Sequence, residues 1–175
     1  DRYAALALSS AVQAVEDAAF DMEKLDKDRV GVVYSAGIGG LKTFEEEVGY
    51  YFQHQENGPR FSPFFIPKII VDIAAGHISM RYGFRGPNYA PVTSCASSTN
   101  AIIDAFNLLR LGKADVIVTG GAEAGVNITG IGGFNAMHAL STRNDSPQTA
   151  SRPFSASRDG FVLGEGAACL VLEEL

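Results

Sequence analysis

Three short apolar runs, separated by stretches with helical spacing, constrain this chain's fold more than any other feature. Residues 29–35 (Arg-Val-Gly-Val-Val-Tyr-Ser), 114–119 (Ala-Asp-Val-Ile-Val-Thr) and 167–172 (Ala-Ala-Cys-Leu-Val-Leu) are nearly continuous in apolar residues. That is the pattern of strands covered on both faces. Ahead of the first run, Leu8, Ala11, Val12, Val15 and Ala19 recur at helical spacing, which predicts an amphipathic helix over 3–20. Further helices are predicted from the first glycine cluster to about Phe52, over 66–82, and from Cys95 to Leu111, with Gly112 as the C-terminal cap. A strand is expected at 88–94 and a hairpin over 161–173, turned by Gly164-Glu165-Gly166. Residues 53–64 and 141–160 read as polar loops. Strand, helix and strand in succession imply a right-handed parallel crossover. The expectation is one α/β domain over 1–175, with a mixed, largely parallel sheet and helices on both faces.

Both ends stand out. The chain opens at a helix with no strand before it and stops after a strong strand with no covering helix. Since natural sheets avoid open edges, a domain incomplete at both ends is expected. The net charge of −6 argues against a nucleic-acid partner. No apolar run approaches the roughly 18 residues that span a bilayer, so no membrane segment is expected. No signal peptide is read at Asp1-Arg2-Tyr3, and two cysteines in apolar segments fit a reducing cytoplasm. Cys169, inside the last apolar run, reads as a small core residue.

Cys95 has different surroundings. It lies in Pro91-Val92-Thr93-Ser94-Cys95-Ala96-Ser97-Ser98, where extended chain runs into small residues and then a long helix. A sulfur at the positive end of a helix is placed where thiolate is stabilised. The small neighbours leave room above it. Two readings stay open on these grounds: a nucleophile, or a buried thiol. The echoed turns Gly37-Ile38-Gly39-Gly40 and Gly130-Ile131-Gly132-Gly133 lack the Lys-Ser/Thr ending of a phosphate loop, and read as close-packing turns. His54 reads as solvated, His77 as a core residue, and none of His54, His77 and His138 has metal-ligand spacing. Asp159 and Glu165 read as structural turn residues. Nothing calls for a metal or an organic cofactor.

Taken together, the motifs resemble a known family. Thr93-Ser94-Cys95-Ala96-Ser97-Ser98, Gly120-Gly121-Ala122-Glu123, Ala139-Leu140-Ser141-Thr142-Arg143-Asn144-Asp145, Ser151-Arg152-Pro153-Phe154 and Arg158-Asp159-Gly160-Phe161-Val162-Leu163-Gly164-Glu165-Gly166 are similar, in order, to β-ketoacyl-acyl carrier protein synthases of the elongating, type II kind. Gly37-Ile38-Gly39-Gly40-Leu41 and Ser62-Pro63-Phe64-Phe65-Ile66-Pro67 extend the likeness upstream.

The resemblance implies a thiolase-like fold of two similar halves, of which this chain is most of the first. It implies that Cys95 is the nucleophile, taking an acyl chain from a carrier protein as a thioester. Malonyl-carrier protein would then lose CO2 and condense with it. The backbone N–H of Cys95 would donate to the oxyanion. Ile38, Gly130 and Phe134 would line the acyl tunnel, and Phe65 would reach into that of a partner subunit. His138 falls where relatives face the carrier protein. The strand at 88–94 resembles the one that pairs across the family's two-fold axis, implying a homodimer. The family's catalytic histidines belong to its second half, so this chain alone is expected to be inactive. A non-catalytic dimerisation fragment and a polyketide-type ketosynthase are the alternatives.

Overall fold

The structure is a computed structural model that describes residues 1–174. Helix α1 (Arg2–Asp17) opens on Asp1, whose carboxylate accepts the Tyr3 N–H. Its buried face is Tyr3, Ala4, Ala7, Ala11 and Val15, so small alanines let it lie close on the sheet. It stops three residues before the predicted end, where Ala19 turns left-handed at φ +51°. Strand β1 (Val30–Ser35) is buried throughout, as its apolar run predicts. Helix α2 (Leu41–Gln53) follows the first glycine turn.

The helix predicted over 66–82 is two helices, α3 (Phe65–Ile69) and α4 (Ile73–Tyr82). The break has a cause in hydrogen bonding. The Tyr3 hydroxyl donates to the Ile70 carbonyl, and the Gly40 N–H donates to the Ile69 carbonyl at 3.2 Å. Contacts from α1 and the glycine turn thus claim carbonyls that a continuing helix would use. Strand β2 is only Asn88–Tyr89, shorter than the predicted 88–94. Pro91 has no N–H for a ladder, and its carbonyl accepts from the Ser35 hydroxyl instead.

Helix α5 (Ser97–Arg110) ends as expected, with Gly112 left-handed at φ +64° just past it. Strand β3 (Val116–Ala124) runs beyond Thr119 through both glycines. The second glycine turn is not a turn but the interior of α6 (Ile128–Ala136). No hairpin forms over 161–173. Phe161 bridges Leu140, and β4 (Glu165–Glu173) is a single strand laid antiparallel on β3.

The sheet order is β2-β1-β3-β4, with β1 parallel to both β2 and β3. Helices α1 and α4 cover one face, packing on Val30, Val32, Tyr34, Val116 and Val118. On the other face Ala101 and Ala105 of α5 pack on Val33 and Ile117. β4 is an edge strand of alternating exposure rather than a fully buried one, because α1 covers mainly one of its faces. The register Ser35↔Gly121 brings the carboxyl ends of β1 and β3 side by side. In open α/β sheets that end is where ligands bind.

Candidate active site

Cys95 sits in a single 3₁₀ turn, Ser94–Ala96, that leads into α5. Ser94 immediately before it is left-handed at φ +55°, a conformation costly for a residue with a side chain. Buried Ser97 holds that turn. Its hydroxyl donates to the Ser94 carbonyl at 2.7 Å and accepts the Thr93 N–H at 2.9 Å. Asn100, one turn further along α5, donates to the Thr93 hydroxyl at 2.6 Å. The small residues after Cys95 therefore do more than leave space, since Ser97 is the brace. Cys95 itself is exposed in this chain. Among the described residues its N–H donates to no protein acceptor.

Cys95 opens onto a cleft of about 550 Å³ whose walls include Gly37, Ile38, Ser98, Phe134 and Phe161. One wall is the turn after β1. Its position is fixed by Glu123 of β3, whose carboxylate accepts the N–H groups of Gly37, Ile38 and Gly39 at 2.8, 2.9 and 3.3 Å. A side chain at position 37 would press on the atoms that hold this turn. A Cβ there would stand 2.9 Å from Glu123 Oε2 and 3.2 Å from the Ser94 carbonyl oxygen.

The facing wall is α6. The Phe134 ring meets Phe161 edge-on, with centroids 5.3 Å apart and planes at 79°. Two acceptors serve the helix start. Asn127 Oδ1 takes the Gly130 N–H at 2.8 Å, and Glu45 Oε2 of α2 takes the Thr129 N–H at 2.8 Å and its hydroxyl at 2.9 Å.

Of the residues singled out from sequence, the structure brings Cys95, Ile38 and Phe134 together around one cleft. Gly130 lies outside that lining, buried where a Cβ would collide with the Gly125 carbonyl. Phe65 lies apart on α3, its ring 6.1 Å from Phe44 and 5.1 Å from Phe61. His138 is exposed just past α6, left-handed at φ +54°. His77 is exposed on α4, not in the core, because the buried face there is Ala74, Ala75 and Ile78. His54 is half-buried, its ring stacked 4.2 Å from Tyr50.

Sequence reasoning missed Phe161 as a wall residue and Glu123 as the anchor of the Ile38 turn. Asp159 has the structural part expected of it. It accepts from the Ser141 hydroxyl, the Thr142 N–H and Arg152, and the Ser141 bond leads in holding its carboxyl below the usual range. Burial pushes the Cys169 thiol up to about 12 and keeps it neutral. Among the described residues no cluster of three His, Cys, Asp or Glu is arranged to hold a metal, and no helix is long and apolar enough to cross a membrane.

A family model described as the N-terminal domain of beta-ketoacyl synthase matches residues 1–175. The chain belongs to the β-ketoacyl synthase family. It is 48% identical, over its whole length, to the 3-oxoacyl-[acyl-carrier-protein] synthase 2 of Staphylococcus aureus, covering 43% of that protein. It is 46% identical to the mitochondrial 3-oxoacyl-[acyl-carrier-protein] synthase of Arabidopsis thaliana, with 96% of this chain and 36% of that one aligned. A crystal structure of a beta-ketoacyl synthase from Burkholderia phymatum STM815 superposes with a TM-score of 0.88 at 30% identity, over 100% of this chain and 42% of that one. A chain in a structure of a type II polyketide acyl-carrier protein in complex with its ketosynthase bound to the hexaketide gives 0.87 at 30% identity, over 98% of this chain and 43% of that one. The chain thus spans less than half the length of these relatives. Its four-stranded mixed sheet with flanking helices is one half-domain of the thiolase-like fold.

Proposed function

We propose that this chain supplies the nucleophile and the apolar cleft of a 3-oxoacyl-acyl carrier protein synthase of fatty acid biosynthesis. The observation that carries the reading is exposed Cys95 on a strained turn, opening onto the cleft between Ile38 and Phe134. The Cys95 thiolate attacks the carbonyl of a carrier-bound acyl thioester. The carrier's thiolate leaves and the acyl chain stays on Sγ, with its alkyl part along the apolar walls. Negative charge on the tetrahedral oxygen meets the free N–H of Cys95. In the second stage malonyl-carrier protein loses CO2. The resulting carbanion attacks the Cys95 thioester, which releases the thiolate and the lengthened 3-oxoacyl chain.

Condensation needs groups that this cleft lacks among the described residues. His54, His77 and His138 all lie outside its walls. The chain on its own is therefore expected to accept acyl groups at most, and not to condense them. The 48% identity to a 3-oxoacyl-[acyl-carrier-protein] synthase 2 supports the fatty-acid reading. Partners in this reading are acyl carrier protein, approaching over exposed His138, and a second copy. The short edge strand β2, with Asn88 and Tyr89 exposed, supports pairing of two copies.

The test is intact-protein mass spectrometry after incubation with an acyl-thioester donor, with the modified residue mapped, alongside condensation by the full-length protein. Acyl groups on Cys95, lost together with condensation in full-length Cys95→Ala, are expected. Condensation retained by that variant sinks the reading. A folded chain that never acylates is a structural piece, whose chemistry needs the rest of the protein.

A further inference from the structure

Glu123 takes no part in the chemistry above, yet it is bound more specifically than any other carboxylate near the cleft. Three successive backbone N–H groups converge on it, those of Gly37, Ile38 and Gly39. Successive N–H groups turned to one side form an anion-binding concavity, a nest. Here the anion is a side chain of this same molecule. Glu123 stands on β3 between the buried residues Ala122 and Ala124, so its backbone is held rigidly by the sheet. The turn it grips is the opposite case. Ile38 is flanked by Gly37, Gly39 and Gly40, the residues with the most backbone freedom to lose. The Ile38 side chain forms part of the wall facing Phe134.

We infer that Glu123 is a positioning residue for acyl-chain selection. By filling the nest it fixes where Ile38 stands, and so how long an acyl chain the cleft admits behind Cys95. This rests on the acyl-cysteine reading above. With the carboxylate gone, the three N–H groups lose their acceptor and the glycine-flanked turn moves, carrying Ile38 into the path of long chains. Short chains end before that point.

The full-length protein tests this through Cys95 acylation rates with donors of graded chain length, followed by mass spectrometry. In Glu123→Ala the rate with the longest well-used donor should fall about 10- to 100-fold, the scale on which small displacements of a positioned group act. The shortest donor should be nearly unaffected. Sodium formate, a free carboxylate small enough for the nest, should restore long-chain acylation to Glu123→Ala and leave the parent protein unchanged. Ile38→Ala should shift the chain-length profile without responding to formate. A uniform loss at every length with no formate rescue, or a profile like the parent's, overturns the inference. If Glu123→Ala fails to fold, the isosteric Glu123→Gln decides. Its neutral amide oxygen is a weaker acceptor for the nest, so a lowered long-to-short ratio supports the role and an unchanged ratio overturns it. Failure of the parent protein to acylate Cys95 at all is a different result, which removes the acyl-cysteine reading itself.

Discussion

The Ser97 hydroxyl donates to the Ser94 carbonyl at 2.7 Å and accepts from Thr93, so one buried oxygen bridges the two residues that precede the nucleophile. Ser94 is left-handed, and such a conformation persists only where its surroundings over-determine it. Ser97→Ala removes both bonds and leaves the Thr93 N–H without its acceptor. It should destabilise the fold by about 1–3 kcal/mol. A domain of this size should show that as a melting temperature lower by roughly 2–4 °C per kcal/mol. Alkylation of Cys95 should change rate in the same variant. A thermal melt and an alkylation time course identical to the parent's would show that the turn does not depend on Ser97.

Gly130 and Gly133, two of the three glycines inside α6, should differ in tolerance. A Cβ at Gly130 collides with the Gly125 carbonyl, whereas Gly133 has nothing within 4 Å of such an atom. Gly130→Ala should cost on the order of 1–3 kcal/mol through overpacking. Gly133→Ala should stabilise the helix by about 0.5–1 kcal/mol. Denaturant melts of the two variants measure both, and equal effects would contradict the packing described.

The two cysteines should separate cleanly by reactivity and by pH. Cys95 is exposed, while Cys169 is mostly buried with its thiol raised from 9.0 to about 12 by burial. Iodoacetamide at neutral pH should label Cys95 and leave Cys169 unmodified until the chain unfolds, as peptide mapping would report.

The same burial gives alkaline sensitivity. A thiol whose folded pKa lies above its unfolded value stabilises the fold fully below the unfolded value. That contribution is lost as pH rises from about 9 toward 12. Burial raises the hydroxyls of Tyr3 and Tyr34 in the same direction, adding to the loss at higher pH. Melting temperature should hold steady up to about pH 9 and then fall, less steeply in Cys169→Ala. A flat profile through about pH 11 would contradict this.

What the sequence made legible follows from what local pattern encodes. Continuous apolar runs located β1 and β3, because strands covered on both faces leave no polar position to blur the signal. Cys95 stood out for its small neighbours and the helix after it. The features that escaped depend on distant partners. The break between α3 and α4 is made in part by the Tyr3 hydroxyl, 67 residues away along the chain. Phe161 joins the cleft because its backbone bonds Ala139 and Ser141. Glu123 stood in the sequence only as the last residue of the Gly120-Gly121-Ala122-Glu123 motif. Its function lies in three N–H groups more than 80 residues upstream, which no periodicity records.

That last distance also bears on how the molecule assembles. The Gly37–Glu123 bond closes 86 residues of chain, and it needs β1 and β3 already in register. Pairings of such long separation are slow to form, because loop closure costs entropy before any contact rewards it. The cleft is therefore expected to form late in folding. During synthesis Cys95 leaves the ribosome before Glu123 does, and the thiol waits in an unshaped chain until β3 arrives to set the wall opposite α6.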